Sequence, residues 1–301
     1  MASRRFGNYH IMKIVHDGEK SVVYQARSGE DDDLYAIKCY KPRYNRIANR
    51  ICRRYHIRSE GEVGMLLNPP PETAGPNCPL VRTVTYGHEF GNSAKCYYVI
   101  LEYIEGVNLK NLVALHERRP LEQCFQIALT VARALSVIHE RGLIHRDICT
   151  DNILLAKTGG PKLVDLGFVA PRGIAFREQT GTPSYMSPEQ FQAKPLEAAS
   201  DLYSFGVVLY ELFTGELPFK SRFSGDYAEI SIRRKAELME KHLRERPPRP
   251  SEVSDVPPSV EAVILRCLEK DPGRRFANAR EIIQALSLAR EKESARDEPA
   301  P

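Results

Sequence analysis

The chain has 301 residues, 42% of them hydrophobic, enough for one or two domains with a full core. Its 43 basic and 39 acidic residues leave a net charge of +4, too balanced for nucleic acid or an anionic membrane as the main partner. Seven cysteines without CxxC spacing read as reduced thiols, the start MASRRFGNYH has no apolar signal segment, and no apolar run suits a membrane span, so a cytoplasmic chain without direct membrane insertion is expected. In chain order, short β-branched and aromatic runs predict five strands of a small antiparallel sheet, at Tyr9–Val15, Val22–Arg27, Leu34–Tyr40, Val81–Phe90 and Tyr97–Tyr103. A helical stretch from about Tyr44 to Leu67 interrupts them, followed by a loop over the breaker cluster Asn68–Pro79. From Leu121 the spacing turns helical: Phe125, Ala128, Leu129, Ala132, Leu135 and Ile138 share one apolar face that stops near Gly142. Further helices are predicted at Asp201–Phe213, Tyr227–Arg244, Val260–Leu268 and Ala279–Leu288.

Phosphoryl transfer needs a carboxylate to orient and accept the proton of the attacking hydroxyl, and an amide a few residues on to hold a metal ion. Asp147 and Asn152 stand at that spacing in Ile144–Asn152, IHRDICTDN. Val164-Asp165-Leu166-Gly167 follows a short strand, and Gly181–Glu189 reads GTPSYMSPE. With Ala36-Ile37-Lys38, Val99–Gly106 and Lys270–Phe276, these segments resemble, in order and from about Tyr9 to Leu288, the eukaryotic-like (Hanks-type) bacterial serine/threonine protein kinase family.

The resemblance implies an α+β chain with the bilobal protein kinase fold. A small antiparallel-sheet N-lobe would span about 9–102, a mainly helical C-lobe about 103–289, and a charged tail 290–301. It implies transfer of the γ phosphate of ATP to serine or threonine of a protein substrate, with Mg2+ held by Asn152 and Asp165. Lys38 would hold phosphate, fixed by Glu60, with Glu62 as the alternative. Of the family's glycine-rich turn only Gly18 is present, with His16 and Ser21 in the outer glycine positions. Backbone groups of Glu102 and Ile104 would bind adenine. Val15, Val23, Ala36 and Leu154 would sandwich it, although they serve equally well as plain core. Thr182 would hydrogen-bond near Asp147, Glu189 would pair with Arg275, and Asp201 would brace the catalytic-loop backbone.

Cys149 departs from the family, which has a lysine facing the transferred phosphate there. A slowed kinase is expected, and a pseudokinase acting as an ATP-binding regulatory or scaffold module is the alternative. Lys20, Arg172 and Arg177 are candidate replacement cations. The thiol beside Arg146 is either a small tolerated residue or a redox-sensitive group. Arg146 implies regulation by a phosphate on Thr180, which Arg172 and Arg177 would share. Lys41–Arg58 is rich in basic residues and has no acidic one. It reads as a solvated helix face or, alternatively, a docking surface for a regulatory protein partner.

Overall fold

Six antiparallel strands come from the alternating first part of the chain: β1 (Arg5–Phe6), β2 (Tyr9–Asp17), β3 (Ser21–Ser28), β4 (Leu34–Tyr40), β5 (Thr83–Phe90) and β6 (Lys95–Glu102), in the order β1-β2-β3-β4-β6-β5. They belong to a computed structural model that describes residues 5–70, 75, 77–90, 95–115, 119–223 and 228–297. The chain folds as two compact units. The first is Met1–Gly106 with Ala156–Gly159 and Val164–Gly167; the second is Val107–Leu155, Gly160–Leu163 and Phe168–Pro301.

In the first unit the period of two sorts the strand residues. Ala26, Tyr35, Ile37, Cys39 and Ile100 form a buried cluster. Val23 lies directly opposite Lys38 on the neighbouring strand, and Ala36 is two residues from Lys38, so these three share the other face. The helix expected over Tyr44–Leu67 is two helices. Helix α1 (Pro42–Tyr55) starts with proline at its first position and ends at His56, whose φ of 51° is left-handed and lets the next residues turn away. Helix α2 (Glu60–Leu67) starts afresh from Ser59, in a capping box with Glu62. Part of the Asn68–Pro79 cluster lies outside the described residues.

The second unit contains all but the first residue of β7 (Gly106–Asn108), α3 (Leu109–Val113), α4 (Leu121–Glu140), β8 (Leu143–Ile144), all but the last residue of β9 (Ile153–Ala156), β10 (Pro161–Leu163) and β11 (Ala170–Pro171). Then follow α5 (Pro188–Phe191), α6 (Ala198–Thr214), α7 (Ala228–Arg244), α8 (Pro250–Val253), α9 (Pro258–Cys267) and α10 (Ala279–Asp297). Helix α4 is long and apolar enough to cross a membrane by length and composition, but most of it is buried inside the fold. Helix α6 is buried continuously from Ser200 to Leu212, as its apolar sequence requires. The charged tail expected from Arg290 is still helix as far as Asp297, because α10 packs along α4 and Arg290 Nε donates to Glu122 Oε2 at 2.8 Å. Residues 298–301 of that tail, and Tyr227 of the predicted helix, lie outside the described residues.

Candidate active-site residues

In the first unit, Lys38 of β4 is 7% exposed and its ammonium holds two carboxylates, Glu60 Oε1 at 3.0 Å and Asp165 Oδ1 at 2.6 Å. Burial alone would lower the lysine pKa, but the charges of Asp165 and Glu60 override it and raise it, so Lys38 stays charged. Burial likewise pulls Asp165 up, yet the Lys38 charge and hydrogen bond prevail and hold it at about 2. For Glu60 burial wins and its pKa is raised. The choice between Glu60 and Glu62 is settled by the capping box. Glu62 Oε2 accepts from the Ser59 N–H and hydroxyl, each at 2.7 Å, which leaves Glu60 to face Lys38.

Tyr40, two residues from Lys38 on the same strand face, donates its hydroxyl to Glu60 Oε2. A Cβ on Gly167 would lie 2.9 Å from the Tyr40 hydroxyl and 3.1 Å from Asp165 Oδ1, so glycine is what admits this cluster. Asp165 itself has φ 61°, a left-handed conformation that a non-glycine residue keeps only when its surroundings hold it there.

Val23 and Ala36 are half-buried and Val15 is 50% exposed at an irregularity between β2 and β3. All three stand apart from the fully buried Ile37 cluster. Glu102 closes β6, its N–H donating to Arg82 O at 3.0 Å, and the main-chain N–H and C=O of Ile104 have no hydrogen-bond partner among the described residues. Gly18 sits in the β2–β3 turn, its N–H donating to Ser21 O at 3.0 Å. Of the three candidate replacement cations, Lys20 is the one whose charge helps lower Asp165; Arg172 and Arg177 are exposed on the second unit.

In the second unit, Asp147 Oδ1 accepts from both the N–H and the hydroxyl of Thr182, each at 2.8 Å. Asn152 Nδ2 donates to the Asp147 carbonyl at 2.9 Å, which leaves its Oδ1 as an acceptor. Leu154, half-buried on β9, pairs with Lys162. Asp201 braces the loop by accepting from His145 N at 2.7 Å, Arg146 N at 2.8 Å and His139 Nε2 at 2.9 Å. Burial would raise Asp201, but these hydrogen bonds and the nearby histidines lower it. Glu189 and Arg275 form a buried two-pronged ion pair at 2.7 and 3.0 Å. Arg146, with φ 71°, donates to Thr180 Oγ1 at 2.7 Å and stacks 3.4 Å from the centre of the Phe176 ring. Lys194 and Glu178 line the small recess around Thr180, so Lys194 is a cation near that hydroxyl which the sequence did not single out.

The redox reading of Cys149 fails. The thiol is 1% exposed, and burial, then the charges of Asp147 and Asp151, push its pKa well above the ordinary thiol value. Arg146 is close to it in sequence, but its guanidinium is turned to Thr180 instead.

Two further groups escaped the sequence. Thr150 Oγ1 lies 2.8 Å from the Tyr185 hydroxyl, which donates to Glu211 Oε2 at 2.5 Å, joining the catalytic loop to the Gly181–Glu189 loop and to α6. His242 of α7 is fully buried, 2.9 Å from the Tyr203 hydroxyl and 3.1 Å from the Ser184 carbonyl. Burial lowers it to about 3, so it is a neutral ring donating to that carbonyl. The one legible signal was its place four residues after the buried Leu238 on a helix face.

Among the described residues no cluster of three or more His, Cys, Asp or Glu is built to hold a metal alone. Magnesium does not need one: it takes one or two carboxylates and completes its shell with phosphate and water. Asp165 Oδ2 and Asn152 Oδ1 are hard oxygens without a protein partner among the described residues, the donor type that fits such an ion.

The sequence profile described as "Protein kinase domain" matches residues 9–286. Serine/threonine-protein kinase PknB of Mycolicibacterium smegmatis is 35% identical over 283 residues, 91% of this chain and 41% of that protein. The serine/threonine-protein kinase PknA of Corynebacterium glutamicum is 31% identical over 296 residues, 94% of this chain and 56% of the relative. A probable serine/threonine-protein kinase of Clostridium perfringens is 30% identical over 292 residues, 95% and 39% of the two chains. The chain thus spans between two fifths and just over half of the length of these relatives. A match over nearly the whole chain, on a sheet-rich first unit and a helical second one, places it in the protein kinase domain family, among the bacterial Hanks-type serine/threonine kinases.

Proposed function

We propose that this chain is an ATP-dependent protein serine/threonine kinase that uses magnesium, acts on protein substrates and is slowed by Cys149. The observation that carries the reading is Lys38, buried between Glu60 and Asp165. Taking such charges out of water costs roughly several kcal/mol per ion before pairing offsets it. A scaffold has no need of that arrangement, whereas a kinase needs its lysine–glutamate pair in place.

The roles follow from the atoms. Lys38 would hold phosphate oxygens, with Glu60 and Tyr40 fixing its position. Ile104 would offer its free N–H and C=O to adenine, beside Glu102, and Val15, Val23, Ala36 and Leu154 would lie against the ring. Magnesium, when bound, offsets phosphate charge; Asp165 and Asn152 would hold it. Since Thr182 occupies Oδ1 of Asp147, Oδ2 is the atom that would accept the proton of a substrate serine or threonine hydroxyl. Thr180, already bonded to Arg146, would be the activating phosphosite, with Lys194 as a second cation.

The buried neutral thiol of Cys149 favours a second reading, a pseudokinase acting as an ATP-binding regulatory or scaffold module. Losing one preorganised cation costs about 10²- to 10³-fold in rate, which slows a kinase without abolishing it. An intact-mass time course with magnesium and ATP, beside Asp147→Asn, separates the two. Phosphate gained by the parent alone supports the kinase, and its mapping to Thr180, with lower activity in Thr180→Ala, supports the switch. No phosphate gained, with ATP still raising the unfolding temperature, leaves the scaffold.

A further inference from the structure

Helix α1 holds five exposed arginines, Arg43, Arg46, Arg50, Arg53 and Arg54, at spacings of three and four residues that put them on one face. That face is about 17 Å long at the rise of an α-helix. The chain carries no acidic residue from Leu34 to Ser59. Successive like charges at these spacings repel and weaken a helix. Several exposed arginines on other helices are neutralised: Arg233 lies 2.7 Å from Glu229, Arg280 2.9 Å from Glu140, Arg296 3.0 Å from Glu293 and Arg244 3.3 Å from Glu240, while Arg133 and Arg234 are single charges without a carboxylate partner among the described residues. Arg43, Arg46, Arg50 and Arg53 have no carboxylate, hydrogen-bond or ring partner among the described residues.

The opposite side of α1 is anchored, with Tyr44 stacked on Tyr40 at 5.6 Å and Asn45 buried, so the arginine face is fixed outward. Only Ile57 and Arg58 separate the His56 cap of α1 from the Ser59 cap of α2, and Glu60 follows at once.

We propose that the arginine face of α1 is a docking surface for an acidic, phosphate-bearing segment of a partner protein. Charge complementarity requires an anion. Guanidinium forks, five of them and no lysine on the helix, suit discrete phosphates and carboxylates that accept two hydrogen bonds at once. The arginine face has no aromatic residue on which bases would stack, and the apolar residue at its edge, Ile47, is partly buried and single, too little to enter a bilayer, which sets nucleic acid and membrane behind a protein segment.

The test uses fluorescence anisotropy without ATP, so its outcome is independent of whether the chain transfers phosphate. The probe is a labelled peptide of about ten residues alternating phosphoserine and glutamate, long enough in extended form to span the face. The combined variant R43Q/R46Q/R50Q/R53Q, checked for an unchanged unfolding temperature, is expected to bind about tenfold or more weakly, and salt to weaken parent binding. The control R222Q/R233Q/R234Q/R244Q, which removes as many charges elsewhere, is expected to bind like the parent. Equal binding by the first variant, equal loss in the control, or tighter parent binding to an oligothymidylate or to phosphatidylserine-containing vesicles than to the peptide overturns the proposal.

Discussion

Replacing Asp201 by asparagine, nearly the same in shape, tests whether the catalytic loop is held by one buried carboxylate. Oδ1 accepts from Arg146 N, and Oδ2 from His145 N and His139 Nε2, with Asp201 only 1% exposed. Asparagine keeps one acceptor and turns an amide N–H against a donor. One hydrogen bond to a charged group is then lost, about 1.5–3 kcal/mol, and a buried N–H is left unsatisfied, about 1–3 kcal/mol. The expected loss is about 3–5 kcal/mol, or roughly 10 °C in unfolding temperature for a domain of this size. The effect reaches function because Arg146 has φ 71°, a conformation that costs energy and persists only while its N–H is held. Its release moves Asp147, so phosphate transfer should fall even well below the unfolding temperature. Far-ultraviolet circular dichroism on heating, followed by the intact-mass assay at a temperature where both proteins are folded, measures both effects. An unfolding temperature within about 2 °C of the parent, with unchanged transfer, would refute the bracing role.

Gly167→Ala should cost about 1–3 kcal/mol and weaken nucleotide binding, because the new methyl meets the Tyr40 hydroxyl and Asp165 Oδ1; thermal unfolding with and without ATP measures both. Cys149→Lys places a cation beside Asp147 and Asp151, the charges that raise the thiol, and should speed phosphate transfer by about tenfold or more; an unchanged rate would show that the missing cation is not limiting. Asp165, held at about 2 against about 3.9 when unfolded, contributes stability that is complete above the unfolded value and lost as pH falls through about 2. With a third of its side chain exposed, screening reduces that contribution to about 1–2 kcal/mol. Glu60, raised by burial, acts in the opposite direction. Lys38→Met removes the cause of the Asp165 shift, so its stability should fall less than the parent's between about pH 5 and pH 3, as chemical denaturation at each pH would show.

The residues placed most securely by sequence are those whose role is set within one short segment. Asp147 and Asn152 share a loop, and Lys38 lies on a strand whose ends the apolar alternation marks. Partners from distant segments were less legible. Tyr185, Thr150 and Glu211 meet across up to 61 residues of sequence, and nothing in the spacing of any one announces the others. The split between α1 and α2 was legible in part: Ser59 and Glu62 have capping-box spacing, which by itself ends a single long helix and commits Glu62 to the cap. The left-handed turn at His56 was not, because that backbone choice is made where α1 must stop short of α2. Charge around Cys149 was misread for a related reason, since closeness in sequence says nothing about where the Arg146 side chain points.

The apolar residues assigned to adenine show how register decides what composition leaves open. Valine and alanine on a strand serve a core or a ligand pocket equally well, and their hydrophobicity cannot distinguish the two. Pairing can. Val23 faces Lys38 across the β3–β4 ladder and Ala36 lies two residues away, so both share the lysine's face, while Ile37 and Cys39 point into the buried cluster. A one-residue slip would exchange the two sets, putting Lys38 among the apolar side chains and Ile37 beside Glu60. Burial of the lysine between two carboxylates therefore fixes the register, and the register in turn leaves Val23 and Ala36 half-buried on the face where a flat apolar ring would cover them.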